Sequence, residues 1–250
     1  YVELAIVAVW THKNKERFKF IEGAYRSAKI PAALTVQMLK KGMPLMINEA
    51  LWAAGIALLN QSYSTRGLDV VAAVNISSTF WNVFSVIFMA VGTSIGIIVG
   101  QQLGAGEFDK ARDSDRKMMV FSIMISVIVA VIYIGAAQFI PDFYKVDAEI
   151  RALATKIMCI SAAFMPVNAY AHASYFTLRS GGQTFVTFLF DSCFVWVVTV
   201  PLAFVMSRYT DVAILPLYAA CQAVDIIKCI IGTVLLKKGI WVRNIVTDEV

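Results

Sequence analysis

Six apolar stretches, each long enough to cross a bilayer, constrain this chain more than any single residue does. They lie near residues 43–63, 70–98, 117–139, 151–176, 185–206 and 213–236. A membrane-spanning helix needs about 20 consecutive, mostly apolar residues, and charged residues here fall largely between the stretches. Hydrophobic residues make up 59% of the chain, against roughly 45–50% in ordinary soluble domains. Backbone polar groups in lipid must be satisfied within the segment, so such stretches fold as helices. The fold class is therefore an all-α membrane protein with six transmembrane helices. The longest polar stretch is residues 11–41, which leaves no room for a separate soluble domain.

The remaining segments take their roles from this frame. Residues 1–10 (YVELAIVAVW) are apolar but too short to span, and they lack the basic leader and small-residue cleavage site of a signal peptide. They read as the tail of a truncated transmembrane helix, in a chain belonging to a larger protein. Residues 11–42 read as a basic cytoplasmic linker with an amphipathic helix from Pro31, residues 43–236 as a six-helix lobe, and residues 237–250 as a cytoplasmic tail. Sixteen of the twenty-two lysines and arginines lie in the loops 11–42, 100–117 and 177–184 and in the tail. The positive-inside rule puts that set in the cytoplasm, so a multi-pass protein of the plasma (cytoplasmic) membrane ends with its carboxy terminus inside. The net charge of +5 then reports topology rather than nucleic-acid binding. Cys159, Cys193, Cys221 and Cys229 all lie in apolar stretches without a CxxC pair and read as small buried hydrophobes. There is no phosphate-binding loop of the G-x-x-x-x-G-K-[ST] type, and no cofactor is expected.

Residues 92–117 (GTSIGIIVGQQLGAGEFDKARDSDRK) join two unlike kinds of sequence. Gly92, Gly96, Gly100 and Gly104 recur every fourth residue, which predicts a helix face bare enough for close helix–helix packing in lipid. Beyond them come Glu107, Asp109, Lys110, Arg112, Asp113, Asp115, Arg116 and Lys117, read as a charged loop at the cytoplasmic exit.

Ionisable and polar residues inside the spans nominate the binding groups, because a charge on a lipid-exposed helix centre costs roughly 2.5–3.5 kcal/mol on insertion scales. Glu49 lies about two turns into the first span with no basic residue within four positions. Asn75, Ser78, Thr79 and Asn82 form one polar stripe on the second. The third has no ionisable side chain and reads as lipid-facing. On the fourth, Ser161, Met165, Asn168, His172 and Tyr175 share a face interrupted by Pro166. Asp191 on the fifth lies at the depth of Glu49 and His172, which predicts a titratable cluster. On the sixth, Asp225 and Lys228 are three residues apart and are expected to neutralise each other. Lys156 reads as snorkelling and Trp241 as an interface anchor.

The stretches GQQLGAGEFDKA (100–111), TLRSGGQT (177–184) and KKGIWVRN (237–244), with the Pro44 and Glu49 pattern of the first span, resemble the multidrug and toxic compound extrusion (MATE) family. That family belongs to the multidrug/oligosaccharidyl-lipid/polysaccharide flippase superfamily. The resemblance covers nearly the whole chain and follows the family's second half in order. It implies one six-helix, carboxy-terminal lobe of a twelve-helix transporter, the amino-terminal lobe being the missing partner. Glu49 matches an acid that many relatives carry in the seventh helix. A second acid that some relatives carry in the tenth helix is absent, since this chain has Val167, Asn168 and Ala169 there.

The function expected is secondary active multidrug efflux: export of organic, often cationic drugs or toxic metabolites by antiport with H+ or Na+ through alternating access. Substrate- and cation-binding candidates are Glu49, Asn75, Thr79, Asn82, Asn168, His172, Tyr175 and Asp191, and a sodium ion at Glu49 is the one metal reading. A flippase for lipid-linked oligosaccharides is the alternative within the superfamily; it calls for a more basic cavity than Lys156 and Lys228 supply. An intramembrane enzyme would have only His172 with Asp191 as a reacting pair.

Overall fold

Every long apolar stretch is a helix in the computed structural model, which describes residues 1–17 and 32–243. The helices are α1 (Val2–Lys13), α2 (Ala32–Ser64), α3 (Leu68–Gly104), α4 (Phe108–Ala137), α5 (Ala148–Ser180), α6 (Thr184–Phe188), α7 (Val200–Tyr209) and α8 (Ile214–Lys237). Two π-helical turns, Leu189–Cys193 and Val195–Thr199, link α6 to α7, so that Thr184–Tyr209 is one span. Six segments are long and apolar enough to cross a membrane, and no strand occurs among the described residues. The chain is a multi-pass membrane protein. Pro31, read above as the start of an amphipathic helix, and the tail beyond Arg243 lie outside the described residues.

The chain divides into two compact units, Tyr1–Met46 and Ile47–Val250. In the first, α1 buries none of its residues. The second holds the packed lobe.

Close approach of α3 and α5 organises that lobe. A Cβ added at Gly92 would stand 2.8 Å from His172 Cδ2, one at Gly96 3.1 Å from Phe176 Cδ1, and one at Gly100 3.9 Å from the Ser180 Cβ. Three glycines spaced by four thus face three α5 residues spaced by four. Around this seam α3, α4 and α5 bury Ala73, Ile76, Phe88, Tyr133, Met158 and Met165. Tyr133 is fully buried, donates to the Ser77 carbonyl at 3.1 Å and meets Phe84 edge-on at 5.0 Å. Its helix α4 is therefore two-faced: Ser122, Ser126, Val129 and Tyr133 pack inward, and only the side with Val120, Phe121, Met124 and Val131 is exposed. Lipid-facing describes half of the third span, not all of it.

The charged run after the glycines is also different from expectation. The connection is only Ala105–Glu107, and residues from Phe108 on already belong to α4. Gly106, at φ +77, turns the chain, while Glu107 N–H closes on the Gln102 carbonyl at 2.9 Å and Gly106 N–H on Leu103 at 3.0 Å, the paired bonds of a helix C-cap. Gly182, at φ +70, does the same between α5 and α6, with Gln183 N–H on Leu178 and Gly182 N–H on Arg179.

Three motif stretches meet at this end of the lobe. Buried Asp115 accepts from the Thr177 hydroxyl at 2.5 Å. Gln183 Nε2 donates to the Ile240 carbonyl at 2.8 Å, and Arg243 Nε to that of Gly181 at 2.9 Å. Trp241, 3% exposed, lies against Gly181 so closely that any Cβ there would collide with the Trp241 backbone. Trp241 is a core residue rather than an interface anchor: its backbone fills the space that the bare glycine leaves, and its indole N–H donates to the Leu236 carbonyl at 3.3 Å.

Replacing Gly92 with Leu in the full-length protein is expected to cost about 1–3 kcal/mol through overpacking of the α3–α5 seam. Gly135→Leu, at a position with nothing within 4 Å, is expected to leave the melting temperature in detergent unchanged. Equal melting temperatures for the two variants would contradict the seam's role.

Candidate functional site

The fifth span departs from α-helical geometry where its one acid sits. A π turn closes i→i+5 bonds and inserts a residue, which rotates the following side chains by about 100° relative to an uninterrupted α-helix. Asp191 lies in the first π turn and Trp196 in the second. Both turns are held from outside by α2. Ser192 Oγ lies 2.8 Å from the Asn48 carbonyl and 2.7 Å from Asn48 Oδ1, so one hydroxyl serves two acceptors of the same residue. Trp196 Nε1 donates to the Leu51 carbonyl at 2.9 Å. Gly55 permits the approach, since a Cβ there would stand 2.7 Å from Val195 Cγ1.

Asp191 does not stand alone. Its Oδ1 accepts from Lys228 Nζ of α8 at 2.8 Å, with side-chain exposures of 19% and 12%. The ammonium also lies 5.3 Å from the centre of the buried Phe190 ring, within cation–π range. Asp225 is in electrostatic reach of both Lys228 and Asp191. The expected neutralising pair of Asp225 with Lys228 is thus corrected: Lys228 reaches across to the π turn, and Asp225 sits one helical turn behind it. Lys156 is exposed.

The fourth span contributes from the α5 side. His172 is half-buried between Gly92 and the Phe176 ring, 5.0 Å from its own, and is in electrostatic reach of Asp191 and Lys228. Tyr175 is buried and feels Asp191 and Glu49. Glu49 is exposed next to buried Asn48, with no ion pair or hydrogen bond among the described residues. Asp191 is therefore in reach of both His172 and Tyr175, and Glu49 of Tyr175; of these groups Asp191 has a charged partner in direct contact among the described residues.

The other candidates divide. Ser161 is buried and bonded to Tyr218 at 2.8 Å, and Met165 is fully buried, so the polar face of α5 is partly internal packing. Asn168 is half-buried, its amide turned back on the Phe164 carbonyl at 3.1 Å. Asn75, Ser78, Thr79 and Asn82 lie on an exposed face of α3, where Ser78 and Thr79 hydroxyls donate to the Asn75 carbonyl. No hydrogen bond among the described residues joins them to the Asp191 group. Among the described residues, no three His, Cys, Asp or Glu side chains converge as a metal-ligand set. Sequence reasoning passed over Lys228, Phe190, Asn48 and Ser192 as parts of one site. The available signal was a lone acid in one span and a lysine in the next.

Comparison with known proteins places this arrangement. Residues 44–205 match the family model MatE, well over half of the chain. The chain belongs to the MatE family. It is 24% identical over 219 residues to the probable multidrug resistance protein YoeA of Bacillus subtilis, covering 87% of this chain and 47% of YoeA. With the probable multidrug resistance protein NorM of Thermotoga maritima it shares 24% identity over 237 residues, 92% of this chain and 50% of that protein. The chain thus spans about half the length of these relatives. A multidrug-resistance MATE-family transporter of the MOP superfamily, solved in an outward-facing conformation, superimposes with a TM-score of 0.74 at 15% identity, over 86% of this chain and 49% of that one. A MOP-superfamily transporter from Pyrococcus furiosus gives a TM-score of 0.70 at 16% identity, over 83% and 46%. The fold of this MatE chain is that of one MATE transporter lobe.

Ser192→Ala in the full-length MatE protein removes the bond that ties the π turn to α2, and is expected to lower stability by about 1–3 kcal/mol because a buried amide acceptor loses its donor. Combined with Asn48→Ala, the loss is expected to be smaller than the sum, measured as a double-mutant cycle of thermal melts in detergent. Strict additivity would show that the two residues do not act as a pair.

Proposed function

We propose that this lobe is the carboxy-terminal half of a secondary active exporter of organic, chiefly cationic compounds. The exporter exchanges them for H+ or Na+ by alternating access with an amino-terminal lobe. The observation that carries the reading is a carboxylate, Glu49, unpaired among the described residues and on a membrane span within electrostatic reach of Tyr175, which also feels Asp191. Unpaired ionisable groups in spans face partners or permeation pathways, because lipid does not solvate them. The relatives' names, which call them multidrug resistance proteins, support a drug-like cargo. The charge distribution supports a cytoplasmic-membrane location with the 100–117 and 177–184 connections and the carboxy terminus in the cytoplasm.

Glu49 couples the two fluxes in this reading. Its carboxylate attracts a cationic compound or a coupling ion, and protonation on the outer side cancels that attraction and releases the compound. Rocking of the two lobes exposes Glu49 to each side in turn, as in other repeat-built transporters. The wider spacing of Asn75, Thr79 and Asn82 on α3 supplies polar contacts for a cargo lodged between the lobes. An oligosaccharide-lipid flippase has less support, since Lys228 is committed to Asp191 and leaves little free positive charge for a pyrophosphate. A catalytic role has less support, since His172 and Asp191 share no hydrogen bond among the described residues.

The test is Glu49→Gln in the full-length protein, reconstituted in vesicles under an imposed pH gradient and, separately, a sodium gradient. Gradient-driven export of a fluorescent cationic dye is expected to stop in the variant while the protein stays folded by gel filtration. Unchanged export under both gradients would remove Glu49 from the mechanism.

A further inference from the structure

The ammonium of Lys228 occupies a position with the chemistry of an organic-cation site. It meets the Asp191 carboxylate at 2.8 Å and lies over the Phe190 ring, 5.3 Å from Nζ to its centre. A carboxylate together with an aromatic face is what a substituted ammonium or phosphonium needs, since the carboxylate supplies the counter-charge and the ring quadrupole the contact. The pair is partly exposed, at 12% and 19% of the two side chains.

Displacing Lys228 would ordinarily be prohibitive, because breaking a partly buried pair leaves a charge without a partner. Asp225 removes that obstacle. It lies three residues before Lys228 on α8, on the same side of the helix, and within electrostatic reach of both members of the pair. Two carboxylates and one ammonium leave the trio one positive charge short of neutrality. That charge is either a proton or a ligand cation.

We propose that Lys228 is a built-in competitor that holds an organic-cation site formed by Asp191 and Phe190, and withdraws to Asp225 when a monovalent lipophilic cation arrives. This rests on the efflux reading above and deepens it. In the resting trio the Asp225 carboxyl carries a proton. The incoming cation takes the Asp191 carboxylate, Lys228 swings to Asp225, the Asp225 O–H bond breaks, and the proton leaves to water. One charge enters and one departs. The other titratable groups facing the trio are His172 and Tyr175 of α5, Cys221 and Cys229 of α8, Tyr63 of α2, and Glu49 of α2 through Tyr175. A second, independent proton exchange at Glu49 is compatible with this one.

The experiment uses the full-length protein in detergent with tetraphenylphosphonium as the probe. Calorimetry follows binding, and a pH dye in weak buffer follows proton release. Both readouts are made in the Glu49→Gln background, which removes release at that residue. There the protein is expected to bind the probe and release about one proton per cation, the charge balance of the trio requiring one. Asp225→Asn leaves Lys228 without a second acid, so affinity is expected to fall about tenfold or more, with no proton release. Asp225→Asn with Lys228→Met removes the competitor as well, and affinity is expected to return to within about threefold of the background protein, again without release. Two merely structural losses would add instead of cancelling. Unchanged binding in Asp225→Asn, or a double variant weaker than the single one, overturns the proposal and leaves the efflux reading standing. A wild-type protein that neither binds nor transports the probe overturns both.

Discussion

The lobe depends on how closely α3 and α5 approach each other. In a bilayer the apolar side chains of one helix gain nothing by leaving lipid for another helix, so association rests on van der Waals contact and interhelical hydrogen bonds. Gly92, Gly96 and Gly100 supply the contact by bringing backbone against the side chains of His172, Phe176 and Ser180. With α5 held at this distance, Tyr133 of α4 reaches the Ser77 carbonyl, and Tyr170 of α5 meets Thr233 of α8 at 2.7 Å. The α3–α5 seam also fixes the position of His172, which has Gly92 on one side and the Phe176 ring on the other.

Polar groups in this lobe fall into two populations with different physical duties. At the end carrying Gly106 and Gly182, motif side chains pair across elements: Asp115 with Thr177, Gln183 with the Ile240 carbonyl, Arg243 with that of Gly181. Such pairing stiffens this end, since moving one of these elements orphans a donor or acceptor. Within the spans the pairing is incomplete. Among the described residues Glu49 has no charged partner, and Asp191 and Asp225 share one lysine. The π turns belong to this second population, carrying Asp191 and Trp196 while Ser192 and Trp196 bind carbonyls of α2. A stiff end with an under-compensated middle is the arrangement expected of a lobe that moves as a body around a charged centre.

Much of the fold could be read from residues alone. The six apolar stretches become the six long helices because backbone groups in lipid have no other partner. The family resemblance, carried by residues 100–111 and 177–184, agrees with the MatE match over residues 44–205. Misread features were those whose meaning depends on another helix. The charged run after Gly104 looked like a loop, yet α4 begins at Phe108, because i,i+3 and i,i+4 pairs such as Lys110 with Glu107 and Lys117 with Asp113 stabilise a solvated helix start. Trp241 looked like an anchor to lipid headgroups, but its backbone packs on the bare Gly181 and its side chain is buried.

Periodicity, apolar length and glycine spacing are local properties, so the sequence by itself determined the number of spans, their helical form and the face on which α3 is thin. The spacing of Asp225 and Lys228 was equally local and pointed to the wrong pair. Which acid holds Lys228 depends on the rotation of the fifth span against α8, and two π turns change that rotation without leaving a mark in hydrophobic periodicity. Tertiary structure alone decided that Asp191 meets Lys228, that Ser192 closes on Asn48, and that Glu49 has no ion pair among the described residues. The physical reason is that helix rotation is set by the sum of many interhelical contacts, and a single span carries only half of each.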